Sequence, residues 1–399
     1  MSWIGRHRRA IIATLALLAG GVTAGVVIGA PYLPRLLIEG YPAPIWPAYG
    51  SFVTVAGGTA EPIVPPAVSG GQPNATLKAL FDESHGRALI VVHQGRLVFA
   101  HYADGITSDT KLNSYSMVKS LIGALTLKAI AEGRLPSLDQ PLRDALPGVG
   151  QATLAEVTLR DLLEMHSGIE VEGQGVHTIS GDKDVEATKM DLFGAMARLH
   201  TGGIEAIAPE LMSEPSSRKA FSYQNVNTAL LGLVLARAYR MPLEQALAAE
   251  IWAPAGAAPA DWRRYGDGLP VSPYCCLYAR PIDWAKVGLF VMRNGTPGKP
   301  FLPEPLWRDF LGLDLKDADV ADGRYGLHIR QDLLDRAGEP LQGRFSFFMG
   351  SRGQITYLMP EKDLVVVRFG DGFQKLNSTL YEAWRSGGAV SLCDPAVTG

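Results

Sequence analysis

Ser116 and Lys119 stand three residues apart at the start of a mostly apolar run, Leu121–Ala131. In a helix this spacing places two side chains on one face, one turn apart. An amine in that position can reach the serine hydroxyl and activate it as a nucleophile for acyl transfer. The unpaired N–H groups and the partial positive charge of a helix N-terminus favour a developing oxyanion. We therefore predict that Ser116 is a catalytic nucleophile and that Lys119 is its partner in proton transfer.

The pattern Ser-x-x-Lys occurs four times in the chain, beginning at Ser108, Ser116, Ser180 and Ser216, so the surroundings decide which copy matters. The first copy has no apolar helix behind it, the third runs into a Gly-Asp loop, and the fourth lies in a polar run. Of the four, Ser116 opens a long apolar helix. The alternative interpretation is a serine near a helix N-cap with a lysine stem lying on apolar surface.

A tyrosine and an asparagine, Tyr223 and Asn225, precede a predicted helix over residues 228–240. A phenol whose pKa is lowered by a nearby cation can take the proton of a serine hydroxyl. We predict that Tyr223 is this base for Ser116, and that Asn225 holds Lys119 or a substrate carbonyl. The alternative for Tyr223 is a half-buried ring whose hydroxyl is hydrogen-bonded.

A glycine-rich turn, Gly350–Gln354, joins two predicted strands. Gly353 has no side chain, which lets the backbone come close to a substrate, and Arg352 places a cation beside it. These two residues are therefore predicted to bind substrate. The backbone N–H groups of Gln354 and Ser116 would together form an oxyanion hole. The alternative is an ordinary hairpin turn.

The composition of the 399-residue chain is that of a globular protein with a large core, since 47% of its residues are hydrophobic and 19% are charged. A formal net charge of −3, with no basic block beyond the first ten residues, argues against a nucleic-acid partner. The sequence contains no Cys-x-x-Cys pair and no His-Glu-x-x-His motif, so we expect no metal and no other cofactor. For Cys275, Cys276 and Cys393 we expect buried free thiols, with one bridge to Cys393 as the alternative.

The first 36 residues have the pattern of a membrane anchor or a secretory signal. Basic residues at positions 6, 8 and 9 precede Ala10–Ala30, which has no charge and is long enough to cross a bilayer as a helix. Positive charge on that side predicts that the rest of the chain is extracytoplasmic. Because the run exceeds a usual signal core, we predict an inner-membrane anchor, with a cleaved signal and a secreted periplasmic protein as the alternative. Residues 37–75, rich in Pro, Gly and Ala, are predicted to be a linker or an extended wrap on the domain surface.

Strand patterns lie at both ends of the remaining chain, with helical patterns between them. Runs rich in β-branched residues at 88–93 and 96–102 flank a Gln-Gly turn and predict a hairpin. Three further runs, at 344–349, 354–359 and 364–369, predict a meander. The predicted fold class is α+β, with one antiparallel sheet of about five strands flanked by helices and an all-helical insertion. The predicted domain spans 76–395, with its α/β part at 76–157 and 271–395 and its helical part at 158–270.

In this order the segments resemble the serine β-lactamase and penicillin-binding-protein-like hydrolases. The similarity is greatest to the class C β-lactamase-related branch that includes 6-aminohexanoate-dimer hydrolases, and it covers about residues 80–385. The matching segments are the hairpin at 88–102, Ser116-Met117-Val118-Lys119-Ser120, Thr158–Gly168, Tyr223-Gln224-Asn225, Leu277–Gly288 and the strands from Gly353 to Val367. The resemblance implies the β-lactamase-like fold and a catalytic serine, lysine and tyrosine at Ser116, Lys119 and Tyr223.

The third motif of that family usually reads Lys-Thr-Gly or His-x-Gly, whereas Ser351-Arg352-Gly353 stands at the matching position. In β-lactamases this motif helps to hold the substrate carboxylate, so its loss predicts poor penicillin hydrolysis. Acyl transfer itself is preserved, because the oxyanion donors are backbone groups. Arg352 keeps a cation nearby, which we expect to lower the pKa of Lys119.

The sequence therefore predicts a serine hydrolase that cleaves amide or ester bonds of a small molecule through an acyl-enzyme on Ser116, with linear oligoamides as candidate substrates. A β-lactamase or D-alanyl-D-alanine peptidase is the alternative among enzymes. A membrane-tethered sensor that is acylated without turnover is the alternative from another class. The loops at 170–189 and 261–274 are expected to line the pocket.

Overall fold

The computed structural model describes residues 30–40, 42–64, 71–171, 191–218, 220–335, 338–372 and 374–391. Its helices are α1 (Leu33–Glu39), α2 (Ala75–Glu83), α3 (Val118–Ala131), α4 (Leu142–Ala145), α5 (Leu159–Leu163), α6 (Ala195–Gly202), α7 (Asn225–Tyr239), α8 (Leu243–Leu247), α9 (Pro281–Met292), α10 (Glu304–Leu311) and α11 (Leu376–Ser391). Its strands are β1 (Phe52–Val55), β2 (Gly86–His93), β3 (Arg96–Tyr102), β4 (Leu112–Asn113), β5 (Ala260–Arg263), β6 (Leu277–Ala279), β7 (Gly295–Thr296), β8 (Lys299–Pro300), β9 (Arg324–Gly326), β10 (Ile329–Leu333), β11 (Arg344–Gly350), β12 (Gln354–Met359) and β13 (Leu364–Gly370).

The central element is a seven-stranded sheet in the order β3-β2-β13-β12-β11-β10-β9, with antiparallel pairing throughout. The five strands predicted from the sequence are its first five, and the α+β fold class is confirmed. The last two strands, β10 and β9 at the edge, were not predicted from the sequence. Both are short, and β10 carries three polar residues in a row, Arg330-Gln331-Asp332, although all five of its residues are buried. Such a run lacks the alternation by which a half-buried strand is recognised.

Both faces of this sheet are covered, because successive side chains of a strand point to opposite sides. In β2, Ile90 and Val92 belong to the larger core, which also contains α3 and α9 residues. Leu89 and Val91 face the other way, into a second core shared with α2 and α11. The sheet is therefore the middle layer between two helical layers, which explains why its strands read as continuous apolar runs.

The helix α3 is buried along most of its length, as its composition predicts: eleven of its fourteen residues are buried. A 3-10 turn, Tyr115–Met117, precedes it, so Ser116 lies in that turn and not in the first α-helical turn. Gly123 in the middle of α3 allows the β9–β10 connection to lie directly on the helix. A Cβ on Gly123 would stand 2.3 Å from the carbonyl oxygen of Leu327, which is far below contact distance.

A second sheet, in the order β1-β5-β6-β4, corrects two predictions. Its strand β1 comes from the predicted linker and pairs with β5, which lies inside the predicted all-helical part. The chain at 37–75 is thus in part an integral piece of the domain. The preceding helix α1 is also held, because Glu39 forms an ion pair of 2.6 Å with Arg263, a residue whose side chain is only 2% exposed.

The predicted anchor, Ala10–Ala30, lies outside the described residues except for Ala30. Within the part of the chain that the structure describes, none of the helices is both long and apolar enough to cross a bilayer. Cys393 also lies outside the described residues. Cys275 and Cys276 are joined to each other in a disulfide, contrary to the expected free thiols.

Candidate active site

The nucleophile candidate sits on a tightly held turn. Tyr115 has a φ of 44°, in the left-handed region that non-glycine residues rarely adopt. Two hydrogen bonds of Tyr115 hold this conformation. Its N–H donates to the Asn113 side-chain oxygen at 2.8 Å, and its hydroxyl donates to the Pro42 carbonyl at 3.0 Å. The Ser114 N–H donates to the Leu277 carbonyl in β6, and Ser114 Oγ accepts a hydrogen bond from the Leu277 N–H. Strain of this kind persists only where the surroundings over-determine it, and it is common at functional sites.

Lys119 lies one turn beyond Ser116 and its amine reaches the serine. Lys119 Nζ donates to Ser116 Oγ at 2.8 Å and to the carbonyl oxygen of Tyr274 at 2.9 Å. The side chain is buried, with 2% exposure. Burial lowers the pKa of Lys119, the Tyr223 phenol opposes that shift, and the charge of Arg330 adds to it. A lysine with a lowered pKa in this position is able to exchange a proton with the serine hydroxyl.

Tyr223 comes to the same point from the loop before α7. Its phenol interacts with the side chains of both Ser116 and Lys119, and these interactions affect its pKa. Its ring centroid lies 5.0 Å from Lys119 Nζ. Burial by itself raises the pKa of Tyr223, but the charges of Lys119 and Arg330 and the hydrogen bond with Ser116 lower it overall. The three side chains that the sequence predicts to react together are thus in mutual contact.

The other copies of the Ser-x-x-Lys pattern have different partners. Lys111 Nζ donates to a carboxylate oxygen of Asp261 at 2.6 Å. Ser216 Oγ donates to Glu214 at 3.0 Å on the surface. The third copy, at 180–183, lies outside the described residues. Within the described residues, Lys119 therefore reaches the serine of its own copy whereas Lys111 pairs with Asp261, and the choice of Ser116 as the nucleophile stays a prediction.

Asn225 is the first residue of α7 and is half-buried. Its side-chain N–H donates to the sulfur of Met196 in α6 at 3.8 Å. A role for Asn225 in holding Lys119 or a substrate carbonyl stays a prediction.

The glycine nearest to the nucleophile is Gly350 and not Gly353. A Cβ on Gly350 would stand 2.1 Å from the Ser114 carbonyl oxygen and 3.1 Å from the Ser116 nitrogen. The end of β11 therefore lies against the turn that carries Ser116, and this close approach requires glycine. A Cβ on Gly353 would instead meet the Gly372 carbonyl oxygen at 2.6 Å, and the Gly353 carbonyl accepts from the buried Arg368 at 2.9 Å.

Gln354 is buried at the start of β12, and its side chain ties down the turn that follows Gly350. Its Nε2 donates to the carbonyl oxygens of Ser351, Arg352 and Gly370 at 2.9, 3.2 and 2.7 Å. This network gives the turn a fixed shape next to Ser116. The proposed oxyanion hole from the Gln354 and Ser116 N–H groups stays a prediction.

Arg352 does not supply the cation expected beside Lys119. Its guanidinium pairs with the Asp371 carboxylate, and 39% of its side chain is exposed. The arginine that acts on Lys119 is Arg330, from the internal strand β10, which was not predicted from the sequence. No local pattern distinguishes this arginine in the sequence, since its position depends on a long-range strand pairing.

His328 is a buried residue with structural hydrogen bonds next to α3. Its Nε2 is 2.9 Å from Thr228 Oγ1 and its Nδ1 is 2.9 Å from the Leu163 carbonyl oxygen. Burial lowers the pKa of His328 to about 3, so the ring is neutral at physiological pH. Ser120 Oγ donates to the His328 carbonyl at 2.7 Å, which connects this residue to α3.

Within the described ranges, no group of three or more His, Cys, Asp or Glu side chains is arranged to hold a metal ion. The chemistry available at the site is that of a hydroxyl, an amine and a phenol.

Several known proteins share the fold of this chain. A family model described as Beta-lactamase matches residues 74–270. A structure from Bacillus anthracis described as a candidate 6-aminohexanoate-dimer hydrolase is similar, with a TM-score of 0.69 and 18% identity over 87% of this chain and 92% of that one. A D-stereospecific amidohydrolase from Streptomyces has a TM-score of 0.55 and 16% identity over 78% and 98% of the two chains.

A penicillin-binding protein from Bacillus halodurans has a TM-score of 0.52 and 17% identity, over 79% of this chain and 99% of that one. At these identities the likeness shows the fold. No curated protein matches the chain in sequence.

Proposed function

Because the chain belongs to the serine β-lactamase and penicillin-binding-protein-like family, as a hydrolase of the amidohydrolase or esterase kind, we propose that it cleaves amide or ester bonds through an acyl-enzyme on Ser116. In the first step Ser116 Oγ bonds to the carbonyl carbon of the substrate. Its proton passes to the pair formed by Tyr223 and Lys119 and then to the departing amine or alcohol. In the second step a water molecule loses a proton to the same pair and attacks the ester, which frees the acid and restores the serine.

The observation that carries this proposal is the contact of three side chains from two separate parts of the chain. Lys119 Nζ lies 2.8 Å from Ser116 Oγ and 5.0 Å from the centroid of the Tyr223 ring, and the Tyr223 phenol interacts with both side chains. The pKa values of Lys119 and Tyr223 are both lowered, chiefly through burial for the lysine and through the neighbouring cation for the tyrosine. Groups with pKa values nearer to neutrality are more effective acids and bases at physiological pH.

The position of Ser116 also suits stabilisation of the oxyanion. Its N–H lies in the 3-10 turn that leads into α3, and backbone donors at a helix N-terminus are unpaired and carry the positive end of the helix dipole. One donor of this kind typically contributes roughly 3–4 kcal/mol to the stability of the transition state. The close approach of Gly350 places the end of β11 at the same point, so a second backbone donor from this strand or its turn would complete the hole.

For the substrate we propose an open-chain amide or ester, with linear oligoamides as the candidate class. Arg352 belongs to the segment that resembles the β-lactamase motif that helps to hold a substrate carboxylate, and here it is paired with Asp371. A penicillin would therefore have to compete with an internal carboxylate for this cation. The proposal predicts faster hydrolysis of linear amides and esters than of β-lactams.

A panel of linear oligoamides, simple esters and β-lactams, assayed with the purified protein and with Ser116→Ala, tests this order of preference. We expect Ser116-dependent steady turnover of at least one linear amide or ester, and slower turnover of penicillins. Turnover of penicillins above that of every linear substrate would contradict the proposed class. A burst of product of one equivalent without further turnover would identify an acylated sensor instead of a hydrolase.

We also propose that residues 10–30 tether the protein to the inner membrane with the catalytic domain on the extracytoplasmic side. The support is the uncharged run that follows the arginines of the first ten residues. We expect the full chain in the membrane fraction after an alkaline wash, and a chain lacking residues 10–29 in the wash. A mature protein found in the periplasmic fraction with its N-terminus near Ala30 would show a cleaved signal and remove the tether.

A further inference from the structure

Arg330 is a buried cation that packs on aromatic rings at the candidate site. It lies on β10, opposite Tyr325 of β9 and Phe347 of β11, and it is 8% exposed. Its guanidinium carbon is 5.1 Å from the ring centroid of Tyr325 and 5.7 Å from that of Tyr223. At these distances the ring faces attract the cation.

Within the described ranges, the guanidinium of Arg330 forms no ion pair with a carboxylate. The contacts that the structure gives its side chain are with the two tyrosine rings. Buried arginines are usually paired with an acidic group, because an unpaired charge is costly to remove from water. Tyr223 is the ionisable group in contact with Arg330 that can take up a compensating negative charge, because the pKa of Tyr325 is raised well above its usual value by burial.

Lys119 approaches the ring of Tyr223 as well, with its Nζ 5.0 Å from the centroid. Among the described residues, the groups that face Tyr223 include Lys119 of α3, Ser116 of the preceding turn, Arg330 of β10 and the ring of Tyr325 of β9. The surroundings of Tyr223 therefore include two cationic side chains. Arg330 keeps its charge throughout the physiological pH range, whereas Lys119 is expected to gain and lose a proton during the reaction.

The backbone holds Arg330 in a fixed position relative to the nucleophile. Two residues before Arg330, the ring of His328 is hydrogen-bonded to the Leu163 carbonyl. The carbonyl of His328 accepts a hydrogen bond from Ser120 of α3. The neighbouring Leu327 lies against Gly123 of the same helix, where a Cβ would not fit. The β9–β10 hairpin is thus docked on the helix that carries Lys119.

From this arrangement we infer that Arg330 is a positioning residue that supplies a permanent positive charge to the Tyr223–Lys119 pair and keeps that pair ready to accept the Ser116 proton. It takes the part expected of Arg352, which is turned toward Asp371. The direction of the effect is the same on both partners. A nearby cation favours the phenolate form of Tyr223 and disfavours the ammonium form of Lys119, so it lowers the pKa of each group.

Loss of the Arg330 charge should raise the pH at which the Tyr223–Lys119 pair reaches its basic form. In Arg330→Gln we expect the ascending limb of the kcat/KM profile to shift upward by roughly one to two pH units, as two charges about 6 Å apart would produce at an effective dielectric constant of about 20. Activity at neutral pH should fall by roughly 10- to 100-fold. Arg330→Lys, which keeps the charge, should restore the limb to near its original position.

The matched control is Arg344→Gln, which removes a cation from the neighbouring strand β11. Arg344 pairs with Asp317 at the start of β11, and its loss should leave the pH profile unchanged. Melting temperatures of all variants show whether the fold is retained. If Arg330→Gln does not fold, Arg330→Met, which keeps an unbranched chain against the rings, is measured in its place.

An activity-independent readout separates this inference from the proposed function, on which it rests. The ultraviolet absorbance of tyrosinate, titrated in wild type and in Tyr223→Phe, gives the pKa of Tyr223 by difference. We expect the pKa of Tyr223 to rise in Arg330→Gln and not in Arg330→Lys. A folded Arg330→Gln with unchanged titration and pH limb, but a higher KM for acidic substrates alone, would overturn the inference and make Arg330 a binding residue. Failure of Ser116 to be acylated would count against the proposed function, whatever the titration shows.

Discussion

Ser116→Ala is expected to abolish turnover and to abolish covalent labelling by a serine-directed probe. Removing the nucleophile of a serine hydrolase removes the acyl-enzyme route altogether, and the expected loss in kcat is at least about 10⁴-fold. The fold should be retained, because the substitution removes one oxygen from a half-buried side chain in a turn held by Asn113 and Ser114. Intact-protein mass spectrometry measures the label directly, and steady-state assays with the preferred linear substrate measure the rate.

The matched controls are Ser108→Ala and Ser216→Ala, which change the first serine of two other copies of the same four-residue pattern. Ser216 is bonded to Glu214 on the surface, and Lys111, the lysine that belongs with Ser108, is paired with Asp261. Both variants should keep full labelling and full rate. Labelling that persists in Ser116→Ala would show that another residue is the nucleophile, and the proposed mechanism would be wrong.

Tyr223→Phe is expected to slow acylation by roughly 10²- to 10⁴-fold, the usual contribution of a positioned acid or base. The hydroxyl is in contact with both Ser116 and Lys119, and its loss leaves the proton transfer to the lysine alone. The ring remains, so its packing on Tyr325 and below Arg330 is preserved and little stability should be lost. Pre-steady-state measurement of the labelling rate isolates the acylation step.

Tyr239→Phe provides the matched control for this change. Tyr239 is equally buried at the far end of α7, and its hydroxyl donates to the Leu125 carbonyl at 3.4 Å. This variant should acylate at the wild-type rate. Near-normal acylation in Tyr223→Phe as well would assign the base role to Lys119 by itself.

Local sequence patterns predicted the parts of the site that depend on local structure. Helical spacing alone brings Ser116 and Lys119 together, and the apolar run behind them predicts the burial that lowers the pKa of Lys119. Tyr223 lies more than a hundred residues away, and its placement came from the family resemblance. Its contact with Ser116 depends on how α7 packs against α3, which no local pattern encodes.

The parts that were missed depend on long-range pairing. Gly350 and Gly353 both read as turn glycines, and only the register of β11 with β12 shows which of them meets Ser116. Arg352 was predicted to be the cation at the site, and no local pattern distinguished Arg330. One is on the surface beside Asp371, and the other lies inside because β10 is an internal strand of the sheet. Residues 37–75 were predicted to be a linker or an extended wrap because they are rich in Pro, Gly and Ala. Their strand β1 nevertheless pairs with β5 of the domain.

The ion pair between Glu39 and Arg263 sets a practical boundary for recombinant work. A fragment trimmed to the start of the matched family region, at residue 74, would keep Arg263 in the interior and discard the carboxylate that compensates it. Orphaning one member of a buried pair typically destabilises a protein by about 3–5 kcal/mol, a large share of the total for an ordinary domain. Arg263 also donates to the carbonyl of His200, whose ring lies 3.3 Å from the Tyr274 hydroxyl, and the Tyr274 carbonyl binds Lys119. The shortest dependable expression product therefore begins ahead of Leu33, well upstream of where sequence similarity begins.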